Sequence, residues 1–179
     1  MKLLAEVTDK DFNPKFVPDK NRRYIFRRAA RAVIINRNGE VGVIYVNKED
    51  YYKIPGGGIK ADEDIAAALE REVKEESGCK CGKFKELGII IDQRSILEED
   101  LGFVQLSYGF TARVKKEGRA LYTKQEESAG FEFKWMSIED AVNAFERHNV
   151  DDYHGRFMQK RDGLFVREAV RKIGSNTGV

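Results

Sequence analysis

The sequence is poor in the residues that build disulfides and soft-metal sites. Its 179 residues include two cysteines, two histidines and three prolines. Cys79 and Cys81 stand one residue apart, a spacing that is poor for a disulfide and, without a second pair, incomplete for zinc. His148 and His154 are too few and too far away in sequence to complete such a site. We therefore expect two reduced, structural thiols in a reducing compartment, the cytoplasm.

Neither an excess of charge nor a long apolar run is present. Lys and Arg number 32 and Asp and Glu number 30, so the net charge is +2. A chain this close to neutral has no global field for nucleic acid or a membrane surface, and such binding would need a local patch. No apolar run approaches the length of a membrane span. Charge also interrupts the N-terminal apolar residues too early for a signal peptide.

The order of strand and helix patterns predicts one α/β domain. Residues 1–23 are polar and hold two of the three prolines, so we expect an irregular N-terminal arm. The domain is predicted over residues 24–173, followed by a disordered tail, 174–179. Apolar runs flank an Asn38-Gly39 turn, which predicts a hairpin. Further strands are expected at 83–95, 102–116 and 131–136, with a polar connection at 96–102 and a longer loop at 119–130. Helices are expected at 62–77, 137–148 and 155–173, covering a mixed sheet.

The first predicted helix carries acidic residues at turn spacing. We expect Asp62 as its N-cap and Gly78 as its C-terminal stop. On a helical wheel its apolar stripe consists of Ile65, Ala66, Leu69 and Val73. Glu70 and Lys74 face water. Three carboxylates lie beside the stripe, where solvent screens their mutual repulsion poorly: Glu72, Glu75 and Glu76.

A divalent cation would relieve that repulsion. Carboxylates without a nearby histidine or thiolate cluster favour a hard ion, Mg²⁺ first and Mn²⁺ second. Mg²⁺ keeps part of its water and shares its shell with substrate phosphates, so the pattern indicates phosphate chemistry. Glycines 56–58, just before the helix, let backbone approach a ligand closely. Taken alone, the acidic cluster is more often a solvated helix face that binds nothing.

The combined pattern resembles the box of the Nudix hydrolases. The matching positions are Gly57, Glu63, Arg71, Glu72, Val73, Glu75, Glu76, Gly78 and Cys79. Cys79 stands where an aliphatic residue is usual, a change that a small apolar side chain tolerates. The resemblance implies an α/β fold of the Nudix type, an α/β/α sandwich with a central mixed sheet and the box as a loop-helix-loop. It also implies metal-dependent hydrolysis of a diphosphate linked to another group.

Carried over by position, the resemblance assigns a role to each box residue. The implied metal ligands are the carbonyl of Gly56 and the side chains of Glu72, Glu75 and Glu76, with Mg²⁺ or Mn²⁺ as cofactor. Arg71 would act with Glu75 and Glu76 in catalysis. It would also pair with Glu63, and the structural positions of the box are Gly57, Glu63 and Gly78. A further acidic residue is expected from the loop at 119–130, where Glu127 and Glu126 are the candidates and an exposed polar loop is the alternative.

The rest of the substrate is expected near the basic stretch that precedes the hairpin. Arg27 and Arg31 share one face of an unbulged strand and suit phosphate, with Gly57 as a further substrate-binding position. The alternative is a pair of solvated edge-strand charges. Four aromatic residues fit either base stacking or core packing: Tyr51, Tyr52, Phe103 and Tyr108. Three basic residues near the C-terminus indicate a solvated helix face: Arg156, Lys160 and Arg161.

The hypothesis that follows is a Mg²⁺-dependent hydrolase of a diphosphate linkage in a nucleoside diphosphate derivative, with a nucleoside triphosphate first. Alternatives within the enzymes are a sugar nucleotide and the triphosphate end of RNA. A non-catalytic module that senses a nucleotide is the alternative from another class. Loss of a box carboxylate would favour that module, and none is lost. No membrane partner is expected, and a homodimer is left open.

Overall fold

The computed structural model of the chain describes residues 1–18, 21–96 and 101–176. Its strands are β1 (Leu3–Thr8), β2 (Arg23–Ile35), β3 (Val41–Val46), β4 (Tyr51–Lys53), β5 (Gly56–Gly58), β6 (Lys80–Cys81), β7 (Lys85–Ile96), β8 (Leu101–Lys116) and β9 (Phe131–Met136). Its α-helices are α1 (Ile65–Ser77), α2 (Lys124–Ala129), α3 (Ile138–Arg147) and α4 (Tyr153–Asn176).

A mixed sheet runs through the molecule in the order β1-β7-β8-β2-β3-β4. The long strand β2 pairs in parallel with β8, β7 and β8 form an antiparallel pair, and β1 adds in parallel to β7. On the other side of β2, β3 pairs antiparallel with β4 and β9. The short strand β5 also pairs with β2, so Gly56 lies opposite Arg31 and Gly58 opposite Ala29. This pairing places the glycines beside Arg31, one of the two predicted arginines.

Helices cover both faces of the sheet because the side chains of β2 alternate between them. One apolar layer, under α1, contains Ala30, Ala32, Ile34, Ala68, Leu69 and Val73. The opposite layer, under α3 and α4, contains Val33, Ile90, Phe145, Phe157 and Phe165. The predicted α/β/α sandwich with a central mixed sheet is therefore confirmed.

Several local predictions hold. The hairpin turns at Gly39, whose φ of 84° lies in the left-handed region that glycine favours. Helix α1 ends at Gly78 with φ 71°, and the Ser137 side chain caps α3 by accepting from the backbone N–H of Asp140. Cys79 and Cys81 are both free. No helix within the described ranges is long and apolar enough to cross a membrane.

Other boundaries differ from the prediction. The arm over 1–23 is not irregular throughout, because Leu3–Thr8 forms β1 on the edge that β7 offers. Asp64, not Asp62, caps α1, and it accepts from the N–H groups of Ala66 and Ala67. Ala66 is exposed, and Ala68 takes its place in the buried stripe.

The later segments hold more helix than predicted. The loop at 119–130 contains α2, whose start is a capping box between Thr123 and Glu126. Helix α4 continues through residues 174–176, which were expected to be disordered, while 177–179 lie outside the described residues. Of the predicted connection at 96–102, residues 97–100 also lie outside them, and its ends belong to β7 and β8.

Candidate active site

The side chains of Glu72 and Glu76 both contact the glycine turn of β5, Gly56–Gly58. A Cβ atom on Gly57 would lie 2.4 Å from the carboxylate atoms of Glu72, so the side chain of Glu72 rests directly on this backbone. Gly56 has φ 142°, and a Cβ there would lie 2.2 Å from the carbonyl oxygen of Ala30. Gly56 therefore needs glycine for its backbone conformation, and Gly57 needs it because a side chain would collide with Glu72.

Arg71 connects most of the box. Its Nε and Nη2 donate to the two carboxylate oxygens of Glu63 at 2.7 and 2.8 Å, the predicted pair in its bidentate form. Its Nη1 donates to Glu72 at 2.6 Å and to Glu75 at 3.3 Å, and its Nη2 also reaches the carbonyl of Gly58 at 3.2 Å. The hydrogen bonds from Arg71 lower the pKa of Glu63 to about 2. The loop, the helix and two candidate ligands are thus held by one guanidinium.

Glu76 is the buried member of the acidic set. Its side chain is 3% exposed, and its carboxylate accepts from Lys53 Nζ at 2.6 Å and from the backbone N–H of Gly56 at 2.7 Å. Burial raises the pKa of Glu76, an effect that Lys53 opposes. The Lys53 ammonium also lies 4.6 Å from the centre of the Phe131 ring. No local pattern around Lys53 indicates this pair, because its partner is 23 residues away.

Glu75 is the most open of the three carboxylates. Its side chain is 48% exposed and contacts Arg71 at 3.3 Å. Its backbone carbonyl accepts from the N–H of Leu121 at 2.7 Å, which ties the segment before α2 to the helix. The Glu75 carboxylate is therefore open to solvent while its backbone is fixed.

The donor set fits a hard cation that brings part of its own shell. Within the described ranges, no three His, Cys, Asp or Glu side chains are grouped as a ready metal cage. The Glu72 carboxylate instead packs against Gly57, and the Glu76 carboxylate accepts from the N–H of the adjacent Gly56. Oxygen donors of this kind suit Mg²⁺, which completes its shell with water and substrate phosphate.

Arg31 and Arg27 both lie beside the glycine turn. Arg31 is 4% exposed on an interior strand, and its Nη1 donates to the carbonyl of Gly56. Arg27 is exposed, and a Cβ on Gly58 would lie 2.8 Å from its Nη2. The alternative of two solvated edge-strand charges is therefore wrong for Arg31.

The two acidic candidates of α2 have different surroundings. The carboxylate of Glu126 accepts from the backbone N–H and the hydroxyl of Thr123 at 2.7 and 2.9 Å, so it serves as part of the helix cap. Glu127 is exposed and, among the described residues, its carboxylate has no hydrogen bond or ion pair. Of the two, Glu127 is the one whose carboxylate is not already engaged.

A buried polar layer under α4 is the part of the site region that sequence reasoning missed. Arg161 is 1% exposed and pairs with Asp162 at 2.7 Å and Asp92 at 3.3 Å, so the expectation of a solvated helix face is wrong for it. Asp92 also contacts Arg94 on the same strand at 3.4 Å. The signal available in the sequence was Asp92 and Arg94 two residues apart, which puts both charges on one strand face.

This layer is joined to the segment that leads into the glycine turn. Asp162 accepts from the backbone N–H of Ile54 at 3.0 Å, and Gln159 accepts from that of Tyr52 at 3.0 Å. Side chains of α4 therefore fix β4 and the residue after it.

A sandwich of this kind, with a glycine turn and an acidic helix joined by Arg71, defines the class of Nudix-type hydrolases.

The comparison with known families agrees. A sequence model of the NUDIX domain matches residues 25–160, and the chain belongs to the NUDIX family. The enzyme class predicted from the box, a Nudix-type pyrophosphohydrolase, is confirmed at this level.

Two curated relatives illustrate the breadth of the family. The chain is 29% identical over 119 residues to Nudix hydrolase 5 of Arabidopsis thaliana. The matched region covers 63% of this chain and 36% of that protein. It is 27% identical over 154 residues to diphosphoinositol polyphosphate phosphohydrolase NUDT4B of Homo sapiens. That match covers 82% of this chain and 78% of the human protein. The chain thus spans little more than a third of the plant relative and most of the human one.

Solved structures confirm the fold. A MutT protein from Bacillus halodurans matches with a TM-score of 0.53 at 19% identity, covering 66% of this chain and 72% of that one. A MutT protein from Methanosarcina mazei Go1 matches with a TM-score of 0.52 at 18% identity, covering 86% and 99%. At these identities the likeness extends to the fold alone.

Proposed function

We propose that the chain hydrolyses a diphosphate linkage with Mg²⁺, or Mn²⁺, as cofactor. The observation that carries the proposal is the convergence of three groups on one glycine turn. Glu72 rests on Gly57, Glu76 accepts from the N–H of Gly56, and the guanidinium of Arg31 donates to the carbonyl of Gly56. Carboxylates for a hard cation and a buried arginine for phosphate therefore meet at a backbone that leaves room for a ligand.

The cation would be held by Glu72, Glu75 and Glu76 with the carbonyl of Gly56. When bound, it supplies positive charge that offsets the charge on the phosphoryl oxygens. Arg31 already donates to the carbonyl of Gly56. Its guanidinium would therefore lie beside the substrate phosphate that the cation binds. Arg27 would bind phosphate at the exposed end of the turn.

Proton transfer falls to the open carboxylates. Glu75 is the box carboxylate best placed to accept a proton from the attacking water, because it is half exposed and weakly bonded. Arg71 and Glu63 hold it in position through the helix and the loop. We assign Glu127 as the further acidic residue because its carboxylate is unengaged.

The proposal is tested with purified protein and a panel of diphosphate compounds: nucleoside triphosphates, sugar nucleotides, triphosphate-ended RNA and diphosphorylated cyclitols. Phosphate or pyrophosphate release is measured with Mg²⁺ and with a chelator. We expect Mg²⁺-dependent release that Glu75→Gln lowers by about 100-fold or more. Glu70→Gln, on the water-facing side of the same helix, is the matched control and should keep full activity. Release that survives in Glu75→Gln and Glu76→Gln would contradict the assigned roles.

Two substrate classes fit a diphosphate at this turn. A nucleoside triphosphate is the prediction from the sequence, and the human relative is named for diphosphoinositol polyphosphates. A sensor without catalysis remains the alternative, and it predicts nucleotide binding with no release across the whole panel.

The free thiols support a cytoplasmic location. The homodimer stays a prediction for sedimentation velocity to test.

A further inference from the structure

Part of the sheet beside α1 is open. Helix α1 packs on β2, β5 and β6, whereas α4, the helix that contacts β1 and β7, lies on the opposite face of the sheet. Within the described part of the chain, no helix packs closely on the α1 side of β1, β7, residues 101–108 of β8 and residues 23–28 of β2. We call this surface the open face. Its apolar side chains are Ile89, Ile91, Val104, Leu106, Tyr108 and Phe26.

Contacts within the open face show that the three strands β7, β8 and β2 present these side chains on the same side. A Cβ atom on Gly102 would lie 2.2 Å from the ring of Tyr24, and the Nε2 of Gln93 donates to the Tyr24 hydroxyl at 2.9 Å. Phe26, two residues after Tyr24 on the same side of β2, is 74% exposed. None of the six apolar residues belongs to a core cluster of the described residues. A contiguous apolar patch of this kind marks an interaction site.

One row across the open face has opposite charges at its two ends. Glu6 of β1 lies in register with Ile91 of β7, which lies opposite Leu106 of β8. Leu106 in turn lies in register with Arg28 of β2. Glu6 and Arg28 are both exposed, and neither has an ion pair among the residues that the structure describes. Three strand spacings, roughly 14 Å, separate them, so they cannot pair within one chain.

We propose that the open face binds a second copy of this chain in a two-fold symmetric dimer. The two-fold axis runs parallel to the strands, between β7 and β8. It places Glu6 of each copy opposite Arg28 of the partner subunit, and Ile91 opposite Leu106 of the partner subunit. An axis across the strands would instead bring Glu6 to Glu6 and Arg28 to Arg28, and such like-charge contacts are unfavourable. The charged row therefore selects the first of these two arrangements.

The charge and size of the open face fit a second copy. The row has one acid and one base, so it offers no net charge for an acidic or a basic partner and is complementary to itself. Four strands and about six residues along each give a footprint of roughly 350 Å² per copy, within the range of patches that mark interaction sites. Two such faces can pack as aligned sheets about 10 Å apart. Because a standard interface buries about 800 Å² per partner, we expect a reversible dimer that dissociates in the micromolar range.

The test is sedimentation velocity of the full chain from low to high micromolar concentration. We expect wild type to shift from monomer to dimer. Arg28→Glu gives a copy with acids at both ends of the row, and Glu6→Arg gives a copy with bases at both ends. Each variant alone places two pairs of like charges in the interface, so its dimer dissociation constant should rise at least tenfold.

Mixing the two variants is the decisive step. A copy with two acids then faces a copy with two bases, so the mixture should form a heterodimer at concentrations where each variant alone is monomeric. The double variant Glu6→Arg/Arg28→Glu should form a homodimer again. Recovery in the mixture also shows that both variants are folded, so loss of the dimer in either one cannot be attributed to unfolding.

Arg147→Glu is the matched control, since Arg147 is an exposed arginine of α3, which packs on the opposite face of the sheet. It should dimerise as wild type does. A wild type that stays monomeric throughout, a dimer that persists in Arg28→Glu, or a mixture that stays monomeric would each overturn the proposal. None of the side chains in this interface belongs to the proposed active site, so the outcome is independent of diphosphate hydrolysis.

Discussion

The ion pair between Lys53 and Glu76 supports a quantitative prediction. The two side chains are 8% and 3% exposed and their charged atoms are 2.6 Å apart. Lys53→Met keeps most of the volume but leaves a buried carboxylate whose remaining hydrogen bond, among the described residues, comes from the Gly56 N–H. Breaking a buried pair from one side costs about 3–5 kcal/mol. For a domain of this size that lowers Tm by roughly 6–20 °C.

The assay is urea denaturation of wild type, Lys53→Met, Glu76→Gln and the double variant, followed by circular dichroism. The double variant removes both charges together, so its loss of unfolding free energy should be smaller than the sum of the single losses by about 2 kcal/mol or more. Lys74→Met is the matched control, because Lys74 is exposed on the same helix. It should change the unfolding free energy by less than about 0.5 kcal/mol.

Two results would refute the reasoning. One is a Lys53→Met variant as stable as the Lys74→Met control, which would mean that Glu76 does not need its counter-charge. The other is strict additivity in the double variant, which would mean that the two side chains contribute independently.

Three further predictions concern the box. Gly57→Ala places a methyl group 2.4 Å from the Glu72 carboxylate and should abolish diphosphate hydrolysis. Gly174→Ala adds a methyl group that meets no atom within 4 Å and should not change the rate. Arg71→Lys loses the bidentate fork, and kcat should fall by about tenfold or more while Lys74→Arg leaves it unchanged. The pKa of Glu63 is lowered from 4.5 to about 2, so its stabilisation is complete above pH 4.5 and is lost as the pH falls toward 2. Urea melts across that range should have a weaker pH dependence in Glu63→Gln, and an unchanged slope would contradict the pairing.

The local elements of this protein follow from short-range rules. The Asn38-Gly39 turn, the stop at Gly78 and the Ser137 cap depend on residues within a few positions of each other, and all three are present. The prediction of Asp62 as the cap of α1 was wrong, because the cap at Asp64 is set by a pairing of longer range. Glu63 pairs with Arg71 eight residues away, and the chain then presents Asp64 to the first N–H groups of the helix.

Elements that depend on distant partners could not be predicted. Strand β1 exists because β7 offers an edge to residues that are more than eighty positions away, and its own pattern is weak. Arg161 fits a solvated helix face by spacing alone, yet it is buried because Asp92, 69 residues away, faces it from the sheet. Periodicity assigns a side chain to a face of its own helix and does not say what covers that face.

The sequence by itself determined the glycine turn, the acidic helix and the family to which they belong, because the box is contiguous and each residue type has a local reason. Only the tertiary structure decided which charges are buried and which are compensated. Lys53 reaches Glu76 although 23 residues separate them in the chain, and Arg31 is buried on β2 beside Gly56 of β5. The physical reason is that burial and pairing of charge depend on distances in space, which chain order does not fix.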